Sequence, residues 1–232
     1  IDAMYLIGWL FQHGRGVSQN YSHALNWYHK AADANHPAAL TKIGWLHQCG
    51  LGLPEDHSQA MEWFRKAANA GNADAMYLIG LQFRNGEKLG QDFAQALYWL
   101  NLAAKAGHAD AMNNLGWLHL NGQGVPQDHA QALLWFRKAA DAGLPAAMNN
   151  VGWIYQNGWG VPQDYAEAME WYRKAAEDGD GTAMTNLGTL YHHGLGVERN
   201  KQFARQWYLR AIESGSEEAL VQLKKLDSWW PW

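Results

Sequence analysis

A glycine-rich turn that leads into a helix is the first candidate for chemistry in this sequence. Residues 157–179 read NGWGVPQDYAEAMEWYRKAAEDG, with two glycines around Trp159. The backbone N–H groups of such a turn and of the following helix N-terminus can bind a phosphate. The same turn recurs every 36 residues, however, with Lys88 replacing its second glycine in one copy. A phosphate loop occurs once per site, so the repetition favours a structural joint.

Catalytic motifs are absent from the sequence. It contains no GxSxG, HExxH or CxxC pattern, and these are typical of serine hydrolases, zinc peptidases and redox or metal sites. We interpret the single cysteine, Cys49, as a polar surface residue and not as a catalytic nucleophile. Its equivalents in the other units are His13, Asn85, Asn121, Asn157 and His193. We therefore expect no enzymatic activity and no cofactor.

Two histidine pairs occupy equivalent positions in alternate units. They are His47 with His57, and His119 with His129. The same two columns, meaning equivalent positions of successive units, hold aromatic pairs elsewhere: Phe11 with Tyr21, Phe83 with Phe93, and Tyr155 with Tyr165. Because both columns change together, we predict side-chain contact within each pair. Zinc needs three or four ligands and each pair supplies two, so we predict stacking and no bound metal.

The composition describes a globular chain with no bulk attraction to nucleic acid or membranes. The 232 residues are 48% hydrophobic and carry a formal charge of -4, which gives no general affinity for polyanions. Basic residues stand four positions from acidic ones, as in Glu170 and Lys174, and form no separate basic stripe. No apolar run approaches the length of a membrane span. One cysteine is compatible with a bacterial periplasmic or secreted protein and with a cytoplasmic one.

Six units of 36 residues organise the sequence. Equivalent glycines and tryptophans recur in each of them, such as Gly152 and Trp171. We place the repeats at 3–38, 39–74, 75–110, 111–146, 147–182 and 183–218, followed by a capping helix and a tryptophan-rich tail at 219–232. Together they form one continuous domain, which we expect to be monomeric.

Each unit has the pattern of two helices joined by a turn. The first helix of the fifth unit covers 146–157 and ends at Gly158, because glycine readily adopts the left-handed conformation that terminates a helix. The second begins after Asp164, which has Glu167 three residues later, as in a capping box. Asp56, Asp92 and Asp128 repeat this arrangement. Along the second helix, Ala168, Trp171 and Tyr172 share the core face, and we predict that the Trp171 indole lies across Gly152.

These motifs resemble the Sel1-like repeat, a relative of the tetratricopeptide repeat. The resemblance rests on AMxxLG, then GxGVPQD, then AxxW[FY]xKAAxxG, and extends from Ala3 to Glu218. It implies an all-α, right-handed α-solenoid that acts as a non-catalytic scaffold or adaptor for a protein or peptide partner. Family members serve in protein quality control, host contact, signalling and the inhibition of toxic effectors. Binding of a glycan or cell-wall ligand, or hydrolysis of the cell wall, is the alternative.

The two ends of the sequence differ. Ile1 and Asp2 match the last two columns of a unit, so we expect at least one further repeat upstream. Lys224 and Lys225 replace glycine and tryptophan of the first-helix pattern, which indicates a polar cap. The final SWWPW either covers the last repeat or anchors a partner.

The resemblance also implies where a partner binds. The first helices of related solenoids line the concave side, so their faces turned away from the core should form a binding stripe. Carboxamides can pair with a peptide backbone, and tryptophan is typical of interface hot spots. The alternative is that the tryptophans pack between neighbouring first helices. The predicted binding residues are Trp9, Trp45, Trp117, Trp153, Asn113, Asn114, Asn121, Asn149, Asn150, Asn157 and Asn186.

Overall fold

The computed structural model describes residues 1–86 and 90–228. Within these ranges the regular secondary structure consists of helices, without a strand. They are α1 (Asp2–His13), α2 (Tyr21–Ala32), α3 (Pro37–Cys49), α4 (His57–Asn69), α5 (Ala73–Asn85), α6 (Phe93–Lys105), α7 (Ala109–Asn121), α8 (His129–Asp141), α9 (Pro145–Asn157), α10 (Tyr165–Glu177), α11 (Gly181–His193), α12 (Lys201–Glu213) and α13 (Glu217–Ser228). Odd-numbered helices up to α11 are first helices and even-numbered ones are second helices. This order confirms an all-α fold of tandem 36-residue repeats.

The helices form two compact units, unit 1 (Ile1–Ala111) and unit 2 (Met112–Trp232). In unit 1 each helix from α1 to α6 packs against the next. In unit 2 the same holds from α8 to α13, and α11 also contacts α9 and α13. Each unit therefore has an apolar core of its own, built from the facing sides of its helix pairs.

The helix ends follow the sequence pattern. Gly158 ends α9 with φ 67° and ψ 34°, in the left-handed region. The Asp164 carboxylate accepts hydrogen bonds from the backbone N–H groups of Ala166 and Glu167 at the start of α10. Such a cap contributes on the order of 1 kcal/mol. The N-caps predicted at Asp56, Asp92 and Asp128 are confirmed in the same way.

The ring that crosses the first-helix glycine belongs to Tyr172, so the prediction for Trp171 is wrong. Tyr172 is fully buried, and a Cβ on Gly152 would lie 2.8 Å from its Cδ1 atom. Adjacent residues of a helix point about 100° apart, so only one of the two can face the partner helix directly. Equivalent residues of the other repeats are also fully buried: Tyr28, Phe64, Leu100, Phe136 and Tyr208.

The Trp171 column lies at the edge of the core, beneath basic side chains. The Trp171 indole is partly buried and donates to Glu167 Oε1 at 3.0 Å. Lys174 Nζ lies 4.3 Å from its ring centroid, whereas Glu170 pairs with Arg173 at 2.8 Å. The structure thus shows a cation–π contact and an ion pair between residues three positions apart, instead of the predicted pair of Glu170 with Lys174. Four further repeats place Lys or Arg over this column: Lys30 on Trp27, Lys66 on Trp63, Lys138 on Trp135, and Arg210 on Trp207.

Two predictions concern residues outside the described ranges. One is the deviation of the turn at Lys88. The other is the role of the tail residues Trp229, Trp230 and Trp232. Among the described helices, none is long and apolar enough to cross a lipid bilayer.

Candidate functional site

The glycine-rich turn of the fifth repeat is built as a joint. Gly160 has φ 72°, and a Cβ there would lie 2.8 Å from the backbone nitrogen of Ala130. The turn therefore rests directly on the first residues of α8, the second helix of the preceding repeat. Both the backbone conformation and this close approach require glycine. The geometry supports the structural interpretation of the motif.

Trp159, between the two glycines of that turn, belongs to an aromatic cluster in unit 2. Its ring stacks on His129 with centroids 5.3 Å apart and meets Trp153 edge-on at 4.3 Å. Trp153 in turn lies 5.9 Å from Trp117. We call Trp117, Trp153, Trp159 and His129 the aromatic cluster. The three indoles remain partly exposed, so they pack against one another and still present a surface.

The sequence predicted two of these indoles as site residues and missed the other two members. Trp159 was visible in the turn, but its column holds no other tryptophan. Repeat comparison therefore gave it no weight. The structure also places the His129 ring on Trp159, a contact that the sequence did not predict. Columns that change together point to contacts within one repeat, so they do not reveal a contact between residues of two different repeats.

The predicted asparagines pair with one another across repeats in unit 2. Asn150 Nδ2 donates to Asn113 Oδ1 at 2.8 Å, and Asn186 Nδ2 donates to Asn149 Oδ1 at 2.9 Å. Asn114 and Asn150 are each only 8% exposed. These two are therefore removed from the predicted binding set, because their carboxamides lie inside the fold.

The remaining asparagines stay at the surface of unit 2. Asn113, Asn149 and Asn186 are partly exposed, and Asn121 and Asn157 are exposed at the ends of their helices. Asn157 Nδ2 donates to the Trp153 carbonyl oxygen at 2.8 Å, which joins it to the aromatic cluster. The structure thus joins Asn157 to the aromatic cluster and gives Asn113, Asn149 and Asn186 hydrogen bonds to asparagines of neighbouring repeats.

In unit 1 the predicted tryptophans are placed differently. The Trp9 ring lies 4.3 Å from the ring of His13, and Trp45 packs on the edge of the unit 1 core. Both are partly exposed. Among the described ring contacts, Trp9 and Trp45 do not meet each other. Unit 1 therefore carries separate aromatic side chains where unit 2 carries a cluster.

Unit 1 also contains a twice-repeated set of three residues that the sequence reasoning missed. Tyr5 stacks on His36 with centroids 4.8 Å apart, and His36 Nε2 lies 3.5 Å from Asp2. The backbone N–H of Ala39 donates to His36 Nδ1, so the ring caps α3. Equivalent contacts two repeats later join Tyr77, His108 and Asp74. Joint replacement of the tyrosine and histidine columns between repeats was the available signal.

The histidine pairs show partners outside the pairs. His57 Nε2 lies 2.7 Å from Glu55, and His129 stacks on Trp159. Burial lowers the pKa of His47 and of His119 below the usual value, because it disfavours the charged ring. Direct contact within each pair stays a prediction. Among the described residues, no group of three His, Cys, Asp or Glu side chains could hold a metal ion.

Cys49 lacks the environment of a reactive thiol. It lies at the surface, at the end of α3. Burial of part of its side chain raises the pKa of the thiol, and the nearby Glu55 carboxylate raises it further. A raised pKa lowers the thiolate fraction at neutral pH and so opposes nucleophilic chemistry.

Paired helices, glycine joints and a partly exposed tryptophan face define a tandem helical-repeat protein. The Sel1 repeat family matches residues 1–36, 37–72, 73–108, 109–144, 145–180 and 181–216. The chain therefore belongs to the Sel1 repeat family. Proteins with these repeats generally mediate protein–protein interactions, and the family is generally non-catalytic.

Solved structures of bacterial proteins share this fold. The chain is 30% identical to c5321, a protective antigen present in uropathogenic Escherichia coli strains displaying an SLR fold, with a TM-score of 0.84. The match covers 97% of this chain and 48% of c5321, so the chain spans about half of that protein. It is 33% identical to a Sel1 repeat protein from Oxalobacter formigenes, with a TM-score of 0.86 and coverage of 92% and 87% respectively.

A more distant structure shows the fold alone. Immunity protein PA5088 from Pseudomonas aeruginosa is 17% identical, with a TM-score of 0.62 over 93% of this chain and 82% of that protein. The comparison with curated proteins gave no match.

Proposed function

We propose that the chain is a non-catalytic scaffold that binds a protein or peptide partner on the first-helix face. By first-helix face we mean the exposed sides of the odd-numbered helices, which carry Trp9 and Trp45 in unit 1 and Trp117 and Trp153 of the aromatic cluster in unit 2, together with Trp159, which meets Trp153 from the turn after α9. The proposal includes two forms of such binding. One is an inhibitory or immunity role toward a toxic effector, and the other is a regulatory role.

The aromatic cluster is the single observation that carries this proposal. Three indoles and an imidazole stand within 4.3–5.9 Å of their neighbours and remain partly exposed. Clustered tryptophans with partly exposed faces are typical of interface hot spots, because they bury a large area and lose little conformational entropy. Their mutual packing fixes the rings before a partner arrives.

Polar groups beside the cluster suit a polypeptide. Asn149 and Asn186 are bonded to each other and partly exposed. Each carboxamide has two donors and an acceptor with two lone pairs, so capacity remains for a peptide backbone. A stable interface needs roughly 800 Å² from each partner, which adjacent repeats of one unit can supply.

Site-specific photo-cross-linking tests the proposal. A photoreactive phenylalanine analogue replaces Trp159 in one variant and Trp171, on a second helix, in a matched variant. Cells of the source organism then provide the candidate partners. We expect one protein to be cross-linked from position 159 and not from position 171. Equal cross-linking from both positions would contradict binding at the first-helix face.

A parallel measurement separates the alternative function. The unmodified chain is incubated with isolated cell-wall fragments and sedimented. If the unmodified chain cosediments and the Trp117→Leu, Trp153→Thr double variant does not, the ligand of this face is a glycan and not a protein. Release of soluble fragments would overturn the non-catalytic part of the proposal.

A further inference from the structure

A cavity of about 640 Å³ lies between the last repeat of unit 2 and α13. Its described lining residues are Thr189, His192, His193, Arg199, Gln222 and Lys225. Thr189 stands in the column that holds Trp117 and Trp153 in the two preceding repeats. A small polar side chain there leaves open the space that an indole would take. The cavity thus continues the column of the aromatic cluster.

Arg199 carries a charge that the fold does not require. At the equivalent position of four other repeats, a glutamine closes the turn by donating Nε2 to a backbone carbonyl oxygen. These bonds, from Gln19, Gln91, Gln127 and Gln163, are 2.8–2.9 Å long. Arg199 makes the same bond through Nε, at 2.9 Å to the carbonyl oxygen of His192.

The guanidinium of Arg199 is therefore anchored at the cavity through one of its five N–H donors. Among the described residues, no carboxylate forms an ion pair with it. A glutamine performs the structural task elsewhere without any charge. The positive charge of Arg199 is thus left for another use.

His192 adds a second feature of this cavity, a buried ring nitrogen without a hydrogen-bond partner, and the equivalent Gln48 of the second repeat also has an unpartnered buried atom. In the first and fifth repeats this column holds Gln12 and Gln156, which accept from the hydroxyls of Tyr28 and Tyr172. His192 is 8% exposed, and its Nδ1 atom has no hydrogen-bond partner in the described part of the chain. The hydroxyl of Tyr208, which corresponds to Tyr28 and Tyr172, is hydrogen-bonded to the Thr189 hydroxyl instead.

The surroundings of His192 are electrostatically positive. Burial lowers the pKa of its imidazole most, and the nearby His193, Arg199 and Lys201 lower it further. The rings of His192 and His193 stack with centroids 4.5 Å apart. None of the described lining residues is acidic. This cavity is thus a locally cationic site in a chain of net charge -4.

We infer that this cavity binds a carboxylate of the partner, and that the partner presents an acidic segment to unit 2. This inference rests on the proposed function. Arg199 provides the paired donors that fit a carboxylate. Gln222 Nε2 donates one of its two hydrogens to Glu218 Oε1, and the other can add a neutral hydrogen bond. A polypeptide that covers the aromatic cluster can place a glutamate, aspartate or C-terminal carboxylate there, because Thr189 continues the tryptophan column.

The test uses short defined peptides and the full chain. Acetylated, amidated tri-glutamate supplies side-chain carboxylates, acetyl-triglycine supplies a C-terminal carboxylate, and acetylated, amidated tri-glutamine is the uncharged control. NMR signals of the His192 and His193 rings and of the Arg199 Nε–H report binding. We expect saturable shifts with at least one carboxylate peptide and none with tri-glutamine. The peptide that binds more tightly identifies the source of the carboxylate.

Two variants use residues that the repeats already contain. Arg199→Gln restores the turn-closing glutamine and keeps its hydrogen bond, so the fold should persist while carboxylate affinity falls about tenfold. Thr189→Trp restores the indole of the column and should abolish the shifts by filling the cavity. Trp171→Ala, on a second helix, is the control and should leave affinity unchanged.

Several outcomes would overturn the inference. They are equal binding of tri-glutamine, unchanged affinity in a folded Arg199→Gln variant, or shifts with inorganic phosphate while both carboxylate peptides fail. Peptide binding needs no natural partner, so its failure refutes the carboxylate site alone. Cross-linking at position 159 tests the first-helix face alone, and the two failures are therefore distinguishable.

Discussion

Units 1 and 2 share the same core and differ on the first-helix face. Tyr28 in unit 1 and Tyr172 in unit 2 are both fully buried, and each donates to a glutamine of its first helix. On the first-helix face, Tyr5 and Tyr77 of unit 1 stack on histidines. In the fourth and fifth repeats the same column holds Asn113 and Asn149, which bond to the next repeat.

The difference shows which positions the repeat leaves free. The core column is restricted by the close approach of the first-helix glycine, so its residues are large and apolar or tyrosine. The face column has no such restriction, because different inter-repeat contacts satisfy it equally well. Variation that the core does not demand is therefore where we look for binding, and in unit 2 it produces the aromatic cluster.

The largest expected effect tests the shared core. Tyr28→Ala and Tyr172→Ala should each lower the free energy of unfolding by about 3–5 kcal/mol, because each removes a fully buried ring. Urea titration with hydrogen exchange of each unit measures the loss. Tyr172→Phe is the control and should cost about 1 kcal/mol, since it removes only the hydroxyl. A large loss in one unit and a negligible loss in the other would break the equivalence of the cores.

A smaller effect tests the asparagine pairing of unit 2. Asn150→Ala should cost about 1–2 kcal/mol, because it leaves the Asn113 carboxamide without its partner. A double-mutant cycle with Asn113→Ala should give a coupling energy of about 1 kcal/mol. Lys42→Ala, at the position of unit 1 equivalent to Asn150, should change stability by less than about 0.5 kcal/mol. Strictly additive losses would show that the pair contributes no coupling.

The repeat period predicted the helices and their ends but not the contacts between repeats. The glycine terminations and aspartate caps depend on local backbone groups, so a few residues encode them. By contrast, the asparagine pairs join residues 37 positions apart, one more than the period. Alignment of columns cannot reveal such a contact, because the partners occupy different columns.

The error at Trp171 has a similar cause. Trp171 and Tyr172 both fit a helical core stripe, and their sequence spacing does not decide which is central. The close approach of Gly152 decides it in favour of Tyr172. Half of the aromatic cluster was missed because Trp159 and His129 meet across repeats.

The smallest effect concerns pH and involves both units. Burial lowers the pKa of His29 and His47 in unit 1 and of His119 and His192 in unit 2. A folded-state pKa below the unfolded value, near 6.5, means that the unfolded chain binds protons first. Stability should therefore be full above about pH 6.5 and decrease as the pH falls below it. Urea midpoints at pH 7.5 and 5.0 measure this.

A histidine variant identifies the source of the pH effect. His119→Phe introduces the residue found at this column as Phe11 and Phe83, so the fold should persist. The difference between the two urea midpoints should become smaller in this variant. An unchanged difference would assign the pH dependence to other groups.

Partner binding at the aromatic cluster is tested most directly by measuring the affinity of the cross-linked partner for a double variant of the cluster and for a control variant. Trp117→Leu with Trp153→Thr uses residues that occupy this column as Leu81 and Thr189, and circular dichroism confirms that the helices remain. Two hot-spot tryptophans together should account for about a hundredfold loss of affinity or more. Trp171→Ala should change affinity by less than about threefold, because it lies on a second helix. A folded double variant that retains the affinity of the unchanged chain would contradict binding at the first-helix face of unit 2.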